Sequence, residues 1–134
     1  MAAAPDRVRY PMNAQSLFFL CTQCRNHLFS IADSIGEFPS GPGVTHGVLC
    51  RAAVNVREDD TPRLLNHHPV VNVHCNQCNG HIGERFTDPA NAPELHSEQG
   101  KYLFYYDKLL YWDGFGLHSC STGEEIIIYD NGHL

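Results

Sequence analysis

The sequence lacks a long apolar run. The longest one near its N-terminus, Leu17–Cys21, is far shorter than the roughly 20 residues of a membrane-spanning helix. The first 15 residues are polar, contain two prolines and show no apolar stretch of the kind found in a secretory signal. We therefore expect no membrane partner, a location in the nucleus or the cytoplasm, and cysteines that stay reduced.

Positive charge is also scarce. Nine Lys and Arg residues stand against 15 Asp and Glu residues, which gives a formal net charge of −6 over 134 residues. Because phosphate binding normally needs a basic surface, this balance argues against nucleic acid as the main partner. The length fits one domain. The 11 glycines and 8 prolines favour a loop-rich, mostly β chain over a helix bundle.

Cysteine, by contrast, is abundant for a protein in a reducing compartment. Four of the six cysteines form two C-x-x-C pairs, Cys21 with Cys24 and Cys75 with Cys78. Two thiolates on one tight turn can both reach an ion at about 2.3 Å, and a second pair completes a tetrahedron. Since soft thiolate ligands favour zinc, the spacing predicts one structural zinc per chain, held by these four cysteines. Disulfide bonds and a redox-active pair are the alternatives, but neither a secretion signal nor a βαβ context supports them.

The other candidate ligands and nucleophiles lack such spacing. Cys50 and Cys120 are expected to be buried structural thiols. None of the nine histidines lies in an H-E-x-x-H motif, and four thiolates already fill a zinc site. The adjacent Glu124 and Glu125 would point to opposite faces of a strand. We therefore predict no catalytic residues and no enzymatic activity.

The sequence predicts a flexible tail, residues 1–14, followed by one domain, residues 15–134. Apolar and β-branched segments predict strands that enter or leave both cysteine turns, and Gly, Pro and charged residues predict the loops between them. The predicted strands are 15–20, 48–56, 69–74, 81–86, 101–106, 109–112 and 126–129, and the predicted loops are 38–43, 57–62 and 88–99. The expected fold is a mostly antiparallel β domain in two halves, each with one cysteine turn.

Motifs around both turns resemble the yippee family. They are Cys21-x-x-Cys24-x-x-His27-Leu28, Asp33-x-Ile35-x-x-Phe38, Gly41-x-Gly43, Val54-Asn55-Val56, Val73-x-Cys75-x-x-Cys78, Ile82-Gly83-x-x-Phe86 and Gly100-Lys101-Tyr102. The resemblance implies a β-tent, in which one zinc joins two antiparallel sheets. It further implies a protein-interaction module, which in some relatives associates with ubiquitin-ligase assemblies. Glu84 departs from the family, which has a tryptophan there.

Two related β-tent families supply the alternative functions. Methionine-R-sulfoxide reductases share the two cysteine turns, but their nucleophilic cysteine corresponds to Leu103, which cannot form a sulfenic acid. The thalidomide-binding domain of cereblon uses a cage of three tryptophans, whereas this chain has only Trp112. A reductase-like enzyme or a small-ligand receptor therefore ranks below a module with a protein partner. We expect its contacts along residues 38–47, 88–100 and 101–112.

Overall fold

The computed structural model describes residues 8–38, 47–65, 68–87 and 101–126. Within these ranges the chain forms β-strands joined by turns, with two 3₁₀ turns at Ile31–Asp33 and Tyr106–Lys108. The strands are β1 (Phe18–Cys21), β2 (His27–Ser30), β3 (Ser34–Phe38), β4 (Gly47–Cys50), β5 (Val56–Glu58), β6 (Arg63–Leu65), β7 (His68–Cys75), β8 (His81–Phe86), β9 (Tyr102–Tyr105), β10 (Leu109–Trp112), β11 (Leu117–Ser119) and β12 (Glu125–Ile126).

The strands form two antiparallel sheets. The smaller sheet has five strands in the order β12-β11-β10-β1-β2. The larger sheet has seven, in the order β3-β4-β9-β8-β7-β5, with β6 also paired to β7. The first cysteine turn joins β1 to β2 and the second joins β7 to β8. The predicted fold class, a mostly β chain whose two antiparallel sheets each carry one cysteine turn, is confirmed.

The main core lies between the two sheets. Phe19, Leu28 and Phe29 of the smaller sheet share one buried cluster with residues of the larger sheet, among them Ile82 and Phe104. The rings of Phe29 and Phe104 stack with their centres 5.0 Å apart. Burying each such side chain contributes about 1.5–3 kcal/mol, so this layer holds the sheets together on the side where the cysteine turns meet.

Strand β1 is apolar throughout because both of its faces are buried. Phe19 and Cys21 face the core between the sheets. Phe18 and Leu20 alternate with them and join a second cluster that includes Trp112. The other face of the smaller sheet is therefore buried as well.

Gly83 is fixed by a close approach of two strands. A Cβ atom built at this position would lie 2.0 Å from the carbonyl oxygen of Leu103 on β9. Because β8 and β9 cannot pair at this distance around any side chain, only glycine fits here. This is the physical reason for the glycine in the Ile82-Gly83 pair.

Several predicted strand limits change in the structure. Strands β8 and β10 have the predicted bounds, but the predicted strand 48–56 ends at Cys50 and a new strand, β5, begins at Val56. Asn55 has a φ of 60°, a conformation that interrupts an extended strand. The charged turn predicted at 57–62 is wrong at its start, because β5 pairs with β7 there.

Strands β2, β3, β6 and β11 are not among the predicted strands. Strand β11 pairs with both β10 and β12. The predicted loops at 38–43 and 88–99, apart from Phe38, and the predicted strand 126–129 beyond Ile126, lie outside the described residues. In the described ranges, no helix has the length and apolar character needed to cross a membrane.

Candidate metal centre

The first cysteine turn is a tight backbone loop that points two sulfur atoms the same way. The backbone N–H of Arg25 donates to the carbonyl of Cys21 at 2.8 Å, and the N–H of Cys21 donates to the carbonyl of Asn26 at 2.8 Å. Arg25 closes the turn with a φ of 62°. Cys21 at the end of β1 and Cys24 in the turn are thereby held close together.

The second turn repeats this geometry. The backbone N–H of Asn79 donates to the carbonyl of Cys75 at 2.9 Å, and the N–H of Cys75 donates to the carbonyl of Gly80 at 3.0 Å. Asn79 has a φ of 62°, the same as Arg25 in the first turn. Both turns have the sequence Cys-x-Gln-Cys and the same backbone geometry, so they are two copies of one structural unit.

The two turns bring all four predicted sulfur ligands together. The Sγ atoms of Cys21, Cys24, Cys75 and Cys78 lie within 4.8 Å of one another. The Sγ atoms of Cys21 and Cys78 are 3.7 Å apart, and those of Cys24 and Cys75 are 3.5 Å apart. Four sulfur atoms at about 2.3 Å from a central zinc would stand about 3.8 Å apart in a tetrahedron. The donor set and its spacing therefore fit one zinc, with no position left for a substrate.

Polar side chains join the two turns around the sulfur atoms. The Asn26 side-chain amide donates to Cys75 Sγ at 3.3 Å and to the Asn76 side-chain oxygen at 3.0 Å. The Gln77 side chain donates to the carbonyl of Cys24 at 3.0 Å. The hydrogen bond from the Asn26 amide to the Cys75 sulfur favours the thiolate that a metal requires.

Asn55, the centre of the Val-Asn-Val motif, forms hydrogen bonds to segments that adjoin both cysteine turns. Its side-chain amide donates to the carbonyls of His27 and Val8, both at 2.8 Å. Its own carbonyl accepts the backbone N–H of Asn76 at 3.0 Å. Asn55 therefore ties the start of β2, the second cysteine turn and the N-terminal segment together.

The part of the chain before residue 15 is described from Val8 onward, and that part contacts the domain. The backbone N–H of Tyr10 donates to His27 Nδ1 at 2.8 Å, and its ring packs against Phe18. The Trp112 side chain donates to the carbonyl of Asn13 at 3.0 Å.

The two remaining cysteines lie apart from the metal cluster. Cys50 is fully buried in the main core, and Cys120 packs against the same core. Desolvation raises the pKa of Cys50 far above its ordinary value and raises that of Cys120 to about 12. Both thiols are thus protonated at neutral pH, as expected of structural cysteines. No described histidine belongs to the four-sulfur group.

A charged cluster that the sequence did not reveal lies on the larger sheet. Glu84 on β8 is fully buried, and one of its carboxylate oxygens pairs with the Arg63 guanidinium from β6. Arg63 also donates to the Asn72 side-chain oxygen at 2.6 Å, and His81 Nε2 lies 3.5 Å from the same Glu84 oxygen. Desolvation by burial raises the pKa of Glu84 to about 7, and burial lowers that of His81.

The second carboxylate oxygen of Glu84 is buried and has no hydrogen-bond partner among the described residues. Its strand neighbours on the same face are apolar or polar uncharged, with Leu103 opposite on β9 and Asn72 opposite on β7. The only sequence signal for this cluster was the charged Glu84 at a position where the resembled family has an aromatic residue.

The aromatic residues near the C-terminal strands do not form one pocket. Trp112 packs in the second cluster on the smaller sheet, whereas Tyr102 and Phe104 belong to the core between the sheets. Most side chains of 101–112 are buried or half-buried. The prediction that this stretch offers a contact surface is therefore wrong for its buried members.

Together, the paired sheets and the four-sulfur cluster define a zinc-binding β-tent domain with one structural zinc. Comparison with known families agrees, since the model of the SelR domain matches residues 2–102. The chain belongs to the SelR domain family. Because SelR is a reductase family, the two remaining cysteines bear on whether this chain catalyses a reaction.

Among solved structures, the chain is similar to the crystal structure of the Mis18 "Yippee-like" domain. The two share 22% sequence identity with a TM-score of 0.60, over 73% of this chain and 96% of that one. This likeness concerns the fold, and it agrees with the yippee resemblance of the motifs. No curated protein matches the chain.

Proposed function

We propose that this chain is a zinc-stapled protein-interaction module without catalytic activity, acting as a subunit or adaptor of a ubiquitin-ligase-type assembly in the nucleus or cytoplasm. In this proposal Cys21, Cys24, Cys75 and Cys78 are the zinc ligands. The observation that carries the absence of catalysis is the state of the other two cysteines. The pKa values of Cys50 and Cys120 are both raised by burial, and a protonated buried thiol is a poor nucleophile.

The position that corresponds to the nucleophilic cysteine of the reductases supports the same proposal. Leu103 stands there, fully buried on β9. Its side chain packs with Val70 and Phe86 in an apolar cluster. An apolar side chain in that place serves packing and offers no group for sulfoxide chemistry.

The exposed Phe115 is the contact residue that we propose for the protein partner. Its side chain is 87% exposed at the tip of the turn between β10 and β11. Asp113 holds this turn rigid, because one carboxylate oxygen accepts the backbone N–H groups of Phe115 and Gly116, both at 2.8 Å. These bonds lower the pKa of Asp113. Because the backbone of the turn is held in place and a phenylalanine side chain has only two rotatable bonds, ordering it on binding costs little entropy, which suits the role of an interface anchor.

Affinity purification with three versions of the chain tests the interaction. We expect ubiquitin-ligase subunits to copurify with the wild type and to be lost with Phe115→Ala. Leu64→Ala is the matched control, because Leu64 is another exposed apolar residue, 67% exposed on β6. Recovery of the same subunits with Phe115→Ala, or of none with the wild type, would contradict the proposal.

A turnover assay tests the absence of catalysis. With methionine-R-sulfoxide and a thiol reductant we expect no turnover above the rate without protein. Turnover that disappears in Cys120→Ser or Cys50→Ser would make the chain a reductase and overturn this part of the proposal.

Binding of a small ligand near Glu84 is the second candidate function. A buried oxygen without a hydrogen bond costs about 1–3 kcal/mol, and the unpartnered oxygen of Glu84 is such an atom. A small ligand with an N–H or O–H donor would satisfy it if the sheet opened beside Glu84 and Leu103, both of which are fully buried.

Thermal-shift measurements with cyclic imides and small aromatic compounds test this second candidate. A shift that Glu84→Gln abolishes and the exposed control Glu124→Gln retains would support it. No shift with the wild type, or a shift that Glu84→Gln keeps, would reject it.

A further inference from the structure

The two cysteine turns are alike in backbone but differ in one side chain that controls access to the sulfur atoms. Two residues after the second cysteine, the first turn has Asn26 and the second has Gly80. The Asn26 side chain lies against Cys75, with its amide 3.3 Å from the sulfur. Gly80 has no side chain, although a Cβ there would lie only 3.4 Å from Cys78 Sγ. Asn26 therefore covers Cys75, whereas Gly80 leaves Cys78, on the open side of the cluster, without a covering side chain at the equivalent position.

The open side borders a cavity of about 250 Å³. Cys21 and Cys78 both line it, whereas Cys24 and Cys75 do not. Gly80, His81 and the cationic Lys108 form part of its wall. This volume is far larger than the roughly 10–15 Å³ that holds one water molecule, and Cys78 is only half-buried, so a peroxide molecule fits beside Cys78.

Hydrogen bonding also distinguishes Cys75 from Cys78. Cys75 Sγ accepts the Asn26 amide and the backbone N–H of Gln77 at 3.4 Å. Among the hydrogen bonds of the described residues, none runs from an N–H group to Cys78 Sγ, and Cys21 Sγ lies 3.7 Å from it. Because N–H donors withdraw electron density from a thiolate, Cys78 keeps more of its nucleophilic character.

We propose that Cys78 is a site of oxidation by hydroperoxides, and that Cys21 then forms a disulfide with it and frees the zinc. The Cys78 thiolate attacks the O–O bond of hydrogen peroxide, which gives a sulfenic acid and hydroxide. The Cys21 thiolate attacks the Cys78 sulfur, an S–S bond forms, and a second hydroxide leaves. Two solvent protons convert both hydroxides to water. Each sulfur loses one electron, and the peroxide gains two.

The product keeps the two sheets joined. Cys21 belongs to the smaller sheet and Cys78 to the turn of the larger one, so a disulfide between them replaces the metal as a link. The sulfur atoms need to move from 3.7 Å to about 2.05 Å. Cys24 and Cys75 would be left as free thiols, and the chain would respond to oxidants by releasing zinc while its sheets stay connected.

Peroxide treatment of the zinc-loaded full chain tests this proposal. Zinc release is followed with a chromogenic chelator, and mass spectrometry of digested protein maps the disulfide. We expect one ion released for each Cys21–Cys78 disulfide formed in the wild type. Gly80→Ala is the key variant, because it keeps all four ligands and places a methyl group against Cys78 Sγ. Gly80 lacks a left-handed φ, so alanine is compatible with its backbone. We expect this variant to release zinc about tenfold more slowly.

The variant Asn26→Ala and the disulfide map of the wild type distinguish the possible results. Asn26→Ala uncovers Cys75, and we expect it to add a Cys24–Cys75 disulfide to the products, because these sulfur atoms lie 3.5 Å apart. The proposal is wrong if the wild type yields Cys24–Cys75 in place of Cys21–Cys78. Zinc release from Gly80→Ala at the wild-type rate, or no release from the wild type by peroxide that oxidises glutathione, would also overturn it.

Discussion

At the scale of single residues, Asn55 does more for the fold than its place in a short motif suggests. It adopts a φ of 60° and its side chain bonds to Val8 and His27. We expect Asn55→Ala to lower the free energy of unfolding by about 4–5 kcal/mol, since the three lost side-chain hydrogen bonds cost about 1 kcal/mol each and the left-handed backbone costs alanine about 1–2 kcal/mol more. Denaturant unfolding of the zinc-loaded protein measures this loss.

Asn55→Gly separates the two causes. Glycine accepts the positive φ without strain and lacks the side-chain bonds. We expect the glycine variant to lie between the wild type and Asn55→Ala in stability. Equal stability of all three proteins would show that neither the bonds nor the backbone conformation matters.

The raised pKa of Glu84 makes stability depend on pH. Burial moves this pKa from 4.5 to about 7, so the folded chain binds the proton more tightly than the unfolded chain. Stability is therefore unaffected below about pH 4.5 and decreases as the pH rises through about 7. We expect the wild type to lose roughly 3 kcal/mol relative to Glu84→Gln over this window. Unfolding of both proteins with zinc bound measures the difference, and a difference that stays constant with pH would contradict it.

The sequence shows the zinc site more clearly than the charged cluster, and the reason is local geometry. Two C-x-x-C turns encode their own ligand geometry within a few residues, so Cys21 and Cys75 could be assigned directly. The pair of Glu84 and Arg63 depends on β6 folding onto β7 and on β7 pairing with β8. Nothing in the sequence around either residue encodes that contact.

At the scale of elements, the segment that precedes β1 belongs to the domain in its described part. The backbone N–H of Val8 donates to the Asn55 side-chain oxygen at 3.0 Å, and that of Tyr10 to His27 at 2.8 Å. We propose that the folded domain begins near residue 8, earlier than the boundary at 15 expected from composition.

Amide hydrogen exchange tests this boundary. We expect the N–H groups of Val8 and Tyr10 to exchange slowly, because both are hydrogen-bonded to the domain. The amide of Gln15, which bonds only to the exposed side chain of Asn13, serves as an internal control and exchanges faster. Exchange of the Val8 and Tyr10 amides at the rate of an unstructured peptide would contradict this boundary and support a flexible tail over residues 1–14.

The strands were predicted with correct bounds where a short segment is itself rich in apolar and aromatic residues. The aromatic and apolar run Leu109–Trp112 and the segment His81–Phe86 are strands with the predicted bounds. Arg57 and Glu58 are predicted to start a charged turn, yet pairing with β7 makes them part of strand β5. Leu117–Ser119 is too short and polar to be recognised without its partners β10 and β12. Whether such segments form strands depends on pairing with strands that are distant in the sequence.

At the scale of the whole molecule, the zinc site joins two sheets that come from different parts of the chain. Each sheet contributes one cysteine turn, and the main core lies beside the junction. A structural zinc site contributes about 10 kcal/mol or more to folding. This contribution explains how a small domain keeps its two sheets in one arrangement.

The central claim is that one zinc, held by four thiolates, maintains this arrangement. Native mass spectrometry of the purified chain, with metal analysis, tests it most directly. We expect one zinc per chain in the wild type and in the control Cys120→Ser, and we expect Cys75→Ser to lose both the zinc and the folded state. A wild type without zinc, or a folded Cys75→Ser chain that still carries one zinc, would contradict the claim.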